Sequence, residues 1–131
     1  MIGQIVERIF INEDQSVIKF QFLNKAVGYF VTESDCCSET WFADIIGVKA
    51  LLESGEILRI ELKSMDLSQD NRSRQDSDEF YSIELTTNRG VCTFAFRNSS
   101  NGYYGGSAHY TECFDCVAHT KWTEITEDYS A

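Results

Sequence analysis

Three groups of residues in this chain have types and spacings that could do chemistry. The tightest is Asp35-Cys36-Cys37-Ser38-Glu39-Thr40-Trp41, two adjacent thiols ahead of a segment with helical periodicity. A cysteine at a helix N-terminus meets exposed amides and the positive end of the helix dipole, which lower its pKa and favour the thiolate. Cys36 or Cys37 would then be a nucleophile, with His109 or His119 as its base. The competing reading is a tight strand-to-helix junction in which a buried thiol only packs.

The second group is His109-x3-Cys113-x2-Cys116-x2-His119. Cys-x2-Cys commonly holds half of a tetrahedral zinc site, and two nearby histidines would complete it. All four lie within 11 residues, however, which leaves little chain between the two halves. Common zinc modules separate them by about a dozen residues or more. Zinc, a Cys113–Cys116 redox pair and ordinary thiols therefore stand as alternatives.

The third group follows a clear strand: Arg97-Asn98-Ser99-Ser100-Asn101-Gly102-Tyr103-Tyr104-Gly105-Gly106. Gly and Asn reach positive φ at little cost, so this loop turns sharply while carrying two aromatic rings. Its glycine amides would face an anion, Tyr103 or Tyr104 would stack on a base or sugar, and Arg97 would add charge. The competing reading is a bend whose tyrosines cover the core. No phosphate-binding loop, dinucleotide fingerprint or serine elbow is present in the chain.

The elements that must hold these groups are mostly strands. The 131 residues are 43% hydrophobic and 13% aromatic, which suits one folded domain spanning residues 1–131. Ile18, Phe20 and Phe22 alternate with Lys19 and Gln21, the period of a half-buried strand. Gln4–Ile11 and Val27–Thr32 read as its neighbours in an antiparallel meander. Trp41, Ile45, Val48 and Leu52 then recur at spacings of four, three and four, which predicts a helical segment over 39–53. Ser38 would be its N-cap and Gly55 its stop, with Gly47 able to split it.

Alternation returns at Leu58–Lys63, at Tyr81–Leu85 and at Val91–Arg97, the last two joined by a turn at Asn88-Arg89-Gly90. Cys92 falls on the apolar face of its strand. The polar run from Gln69 to Ser77 reads as a connection, and 108–111 and 117–126 as short strands. The tail from Glu127 is acidic and is expected to fray. The predicted fold is α+β: a curved antiparallel sheet of about six to seven strands with one short helical segment.

Charge and cysteine usage narrow the partners. With 21 acidic and 11 basic residues the net charge is −10, which disfavours direct binding to nucleic acid or anionic membranes. Five cysteines cannot all pair within one chain, so a reducing, cytoplasmic setting is expected. No apolar run approaches the roughly 18–20 residues of a membrane helix.

The motifs Asp35-Cys36-Cys37-Ser38-Glu39-Thr40-Trp41 and Asn98-Ser99-Ser100-Asn101-Gly102-Tyr103-Tyr104-Gly105-Gly106 together resemble a family of small phage and bacterial proteins of unknown function. The resemblance covers about residues 2–107, with 108–131 as an extension, so it lends nothing to the His109–His119 group. It implies no catalytic residue and no resident cofactor. What it implies is an accessory protein that binds and antagonises a host or defence factor. A binder of a nucleotide-like signal at the Gly-Tyr loop is the alternative, and a small zinc or thiol-dependent protein a further one. The two motifs are expected to meet in the fold.

Overall fold

The computed structural model describes residues 1–34, 39–65, 77–100, 106–112 and 121–130. Its elements in chain order are β1 (Val6–Asn12), β2 (Val17–Phe22), β3 (Val27–Ser34), β4 (Glu39–Ile46) and α1 (Val48–Leu52). They are followed by β5 (Arg59–Met65), β6 (Ser77–Thr87), β7 (Gly90–Ser100), β8 (Gly106–Thr111), β9 (Trp122–Ile125) and β10 (Tyr129–Ser130). They form two antiparallel sheets of five strands, ordered β8-β3-β2-β1-β9 and β10-β4-β7-β6-β5. The expected single curved sheet of six to seven strands is thus two sheets. The α+β class gives way to a β-rich architecture with, among the described residues, one five-residue helix.

The sheets pack face to face because the alternating apolar residues of both point inward. Ile9, Ile18, Phe20, Phe22 and Phe30 of the first sheet share one core with Phe42, Ile45, Leu85, Phe94 and Phe96 of the second. Phe94 meets the rings of Phe20 and Phe30 edge-on, each with a centroid separation of 5.4 Å. Edge-to-face contact of this kind suits the quadrupole of aromatic rings. Cys92 lies in the same core, as its position in the strand pattern predicts.

The predicted helix over 39–53 is corrected: residues 39–46 are strand, and only 48–52 are helical. The reason is a β-bulge. The register of β4 against β7 shifts between Phe42 and Asp44, so Ala43 is an extra residue. A bulge breaks the period of two. Trp41, Phe42, Ala43 and Ile45 are consequently all buried, and the resulting spacing imitates a helix face.

Gly47 then makes the corner with φ +84, and a Cβ there would come within 2.2 Å of the Val91 carbonyl oxygen. Both facts demand glycine. The tail is likewise corrected, because β10 pairs with β4 and residues 126–128 carry the chain from the first sheet to the second. Asp128 Oδ1 accepts hydrogen bonds from the Gly47 and Val48 amides at 2.9 and 3.0 Å.

Asp128→Ala removes the acceptor for two amides that open α1. By analogy with helix caps the expected cost is about 1–2 kcal/mol, with Asp128→Asn losing less, read as a lowered urea midpoint at unchanged m.

Candidate functional site

The strand pairing brings the described parts of the two sequence motifs together. Glu39, Thr40 and Trp41 of β4 lie opposite Ser99, Asn98 and Arg97 of β7. Thr40 Oγ1 donates to Asn98 Oδ1 at 2.9 Å, and Asn98 is fully buried. Trp41 and Arg97 are buried as well, at 3% and 1% exposure, so the guanidinium is enclosed by the chain rather than presented at its surface. The pair sits on the strand face opposite Phe42 and Phe96, whose rings meet in the core. Asp35, Cys36, Cys37 and Ser38, and Asn101, Gly102, Tyr103, Tyr104 and Gly105, lie outside the described residues. Gly106 opens β8.

Of the metal-type group, His109 is on β8 with its side chain about half exposed, its Nδ1 3.8 Å from Glu33 Oε1. Cys113, Cys116 and His119 lie outside the described residues, as does the polar run 69–76. Among the described residues no cluster of three or more His, Cys, Asp and Glu side chains is spaced to hold a metal ion. Burial pushes the Cys92 thiol up to about 12, reinforced by the negative charge of Asp128.

The concave apolar feature that the sequence did not reveal lies where the edges of the two sheets approach, at β8 and β5. A cleft of about 180 Å³ is lined by Phe30, Ala108, His109 and Tyr110 from one sheet and by Ile60, Leu62 and Ile83 from the other, with Met1 alongside. Its walls have different origins. Tyr110 packs edge-on against Phe30 at 6.2 Å and donates its hydroxyl to Glu112 Oε1 at 3.4 Å. Burial, with Glu112 beside it, raises this phenol to about 12.

Room for the Tyr110 ring comes from Gly28. A Cβ at that position would sit 2.2 Å from the phenol oxygen and 2.5 Å from a ring carbon. A cross-strand ring laid over a glycine is a known way to fill the gap the missing side chain leaves. The opposite wall is β5, where Ile60 and Leu62 are 38% and 66% exposed. No signal in the sequence separates these from core residues, because their alternation is that of any half-buried strand.

The outer face of the first sheet carries a second, smaller cluster. Lys19 Nζ lies 4.5 Å from the Phe10 ring centroid and 4.6 Å from that of Trp122, and Arg8 sits over Phe10 at 5.7 Å. Tyr29, buried, packs against Trp122 at 6.3 Å. Partial burial lowers the pKa of Lys19. The cation is held between two rings, an arrangement that ties β1, β2 and β9 together.

Comparison with known proteins gives a family without an assigned activity. A family model described as a domain of unknown function, DUF7448, matches residues 1–110. An uncharacterised protein of Acanthamoeba polyphaga mimivirus is 34% identical over 104 residues, covering 77% of this chain and 82% of the viral protein. No solved structure matches.

Two outcomes are expected from this geometry. Gly28→Ala should lower stability by about 1–3 kcal/mol through overpacking, but cost little more when Tyr110→Ala is already present. That non-additivity, read in a double-mutant cycle of denaturant midpoints, is the signature of the contact. The core holds Cys92 as the neutral thiol. Its contribution is therefore complete below the ordinary value of 9.0 and is lost as pH rises towards about 12. In alkylation at pH 8 with peptide mapping, Cys92 should stay unmodified in the native protein and react once it is denatured.

Proposed function

The chain belongs to the DUF7448 family, and we propose that it is a non-enzymatic, viral-type binding protein that antagonises a host or defence factor. The observation that carries this reading is the mostly apolar cleft between β8 and β5, open to solvent and walled by aromatic and aliphatic side chains with His109 among them. Concave apolar sites of this sort are the default contact points of small domains. Contiguous exposed apolar surface bordered by polar residues marks an interaction site.

Charge says what kind of partner fits. A chain of net charge −10 steers towards a basic surface and away from nucleic acid. A relative in a mimivirus supports a viral setting for the family, and a viral setting favours an accessory role against a host. A cytoplasmic setting suits such a target and the unpaired thiol of Cys92.

The test blocks the cleft without touching its rings. Ala108 is half-buried on edge strand β8, and Ala108→Arg projects a long cation into the cleft. Affinity capture from a host lysate should recover a specific protein with the wild type and at least tenfold less of it with the variant. Expression of the wild type alone should relieve restriction by a defence system. Equal recovery by both proteins, or no effect of expression on any defence system, would count decisively against this reading.

A further inference from the structure

We propose that edge strand β5 pairs antiparallel with β5 of a second copy of this chain, Leu62 opposite Leu62. The two five-stranded sheets would thus join into one of ten strands. Among the described residues β5 ends its sheet, with β6 on one side and no strand on the other. Such an edge presents a row of N–H and C=O groups, and proteins usually protect it with charges or bulges. Here no bulge interrupts the register against β6 from Arg59 to Met65. The charges the strand does carry alternate in sign, so they repel a foreign edge less than they match a second copy of themselves. Three aliphatic residues at the edge, Leu58, Ile60 and Leu62, are 59%, 38% and 66% exposed.

The charges select the second copy as occupant and fix the register. Along one face β5 carries Arg59, Glu61 and Lys63, alternating in sign. Within the chain Glu61 pairs with Arg59 and Lys63, and Lys63 also with Glu84 of β6 at 2.9 Å, all of them solvent-accessible pairs that a strand alongside can share. Antiparallel strands related by a two-fold axis place residues opposite one another symmetrically about the axis. Centred on Leu62, the midpoint of the strand, all seven residues overlap, and Glu61 faces Lys63 of the other copy twice. Centred on Glu61, Glu61 would face Glu61 and Arg59 would face Lys63; centred on Lys63, two lysines would meet. Like charges directly opposite are destabilising and unlike charges favourable. A centre at Ile60 would also match Arg59 with Glu61, but it overlaps only three residues of the strand.

The favoured register also covers Leu62, the most exposed of the large hydrophobic residues among those described. Directly opposed residues share a face of the sheet. Both clefts therefore open on the same side, and their β5 walls merge into one trough shared by the two copies. The pairing stands on the edge strand alone, whatever the cleft binds.

Sedimentation equilibrium of the full chain should give twice the mass of one chain, with a dissociation constant that rises with salt. Glu61→Lys and Lys63→Glu should each raise that constant at least tenfold, and the two together should restore it. Circular dichroism melts would confirm that each variant is folded. Leu62→Cys should form an intermolecular disulfide under mild oxidation, above the wild-type background, while Ile60→Cys, facing Ser64, should not. Directly opposed residues are about 4.5–5.5 Å apart at Cα, within disulfide reach.

A folded protein of single-chain mass at 0.1 mM would overturn the proposal. So would a dimer indifferent to both single charge reversals, or equal cross-linking at the two positions. None of these readouts depends on capture of a host protein, so the dimer and the proposed function fail separately.

Discussion

Phe94 is the contact on which the two sheets depend. It projects from the middle of the second sheet and receives the edges of Phe20 and Phe30 from the first, so one ring sets the spacing of the layers. Stacked sheets sit about 10 Å apart, a gap that facing aromatic side chains fill. Once those rings are seated, the inward residues of every neighbouring strand are committed, since a slip of one residue would turn the apolar set outward. The filled centre also explains the unfilled margin. Towards β5 and β8 the rings give way to Ala108, Ile60 and Leu62, which do not close the gap, and the cleft is what remains.

The two flanks of the sandwich are built differently. On one, the chain passes from β9 to β10, and Asp128 locks the passage to the start of α1 through two amides. On the other, β5 ends its sheet with exposed aliphatic residues, and β8 contributes a tyrosine steadied by a glycine. Chemistry that holds the fold and surface that is free to bind are thereby separated. The buried motif residues Trp41, Arg97 and Asn98 fall on the structural side of that division.

Most of the strands were legible because their period of two is unbroken. Ile18-Lys19-Phe20-Gln21-Phe22 and Arg59-Ile60-Glu61-Leu62-Lys63 are strands as their alternation predicts. Alternation failed at β4, where the extra residue at Ala43 slips the phase and Trp41 is buried on the face away from the core. Strand β9 falls within the short strand expected over 117–126, but the docking of the tail from Glu127 was illegible, since an acidic tail reveals neither the sheet edge it joins nor the helix its aspartate caps. For the site, the pattern showed which residues alternate but not which alternating residue lies at a margin. Exposure of Leu62 follows from strand order, which no local window contains.

The pairing of β1 with β9 reaches past all of that, to the order in which the molecule can assemble. Ile9 lies opposite Ile125 and Phe10 opposite Glu124, so strand β1 waits for a partner more than 110 residues further along the chain. Contacts of such long sequence separation make folding slow, because loop-closure entropy is lost before the pairing compensates it. During synthesis β1, β2 and β3 can meet as a meander, while the outer edge of β1 stays unpaired until residues 122–125 arrive. Arg8, which ends in an ion pair with Glu124, is a charge on that waiting edge. The residue that later fastens the strands first keeps them apart from other chains.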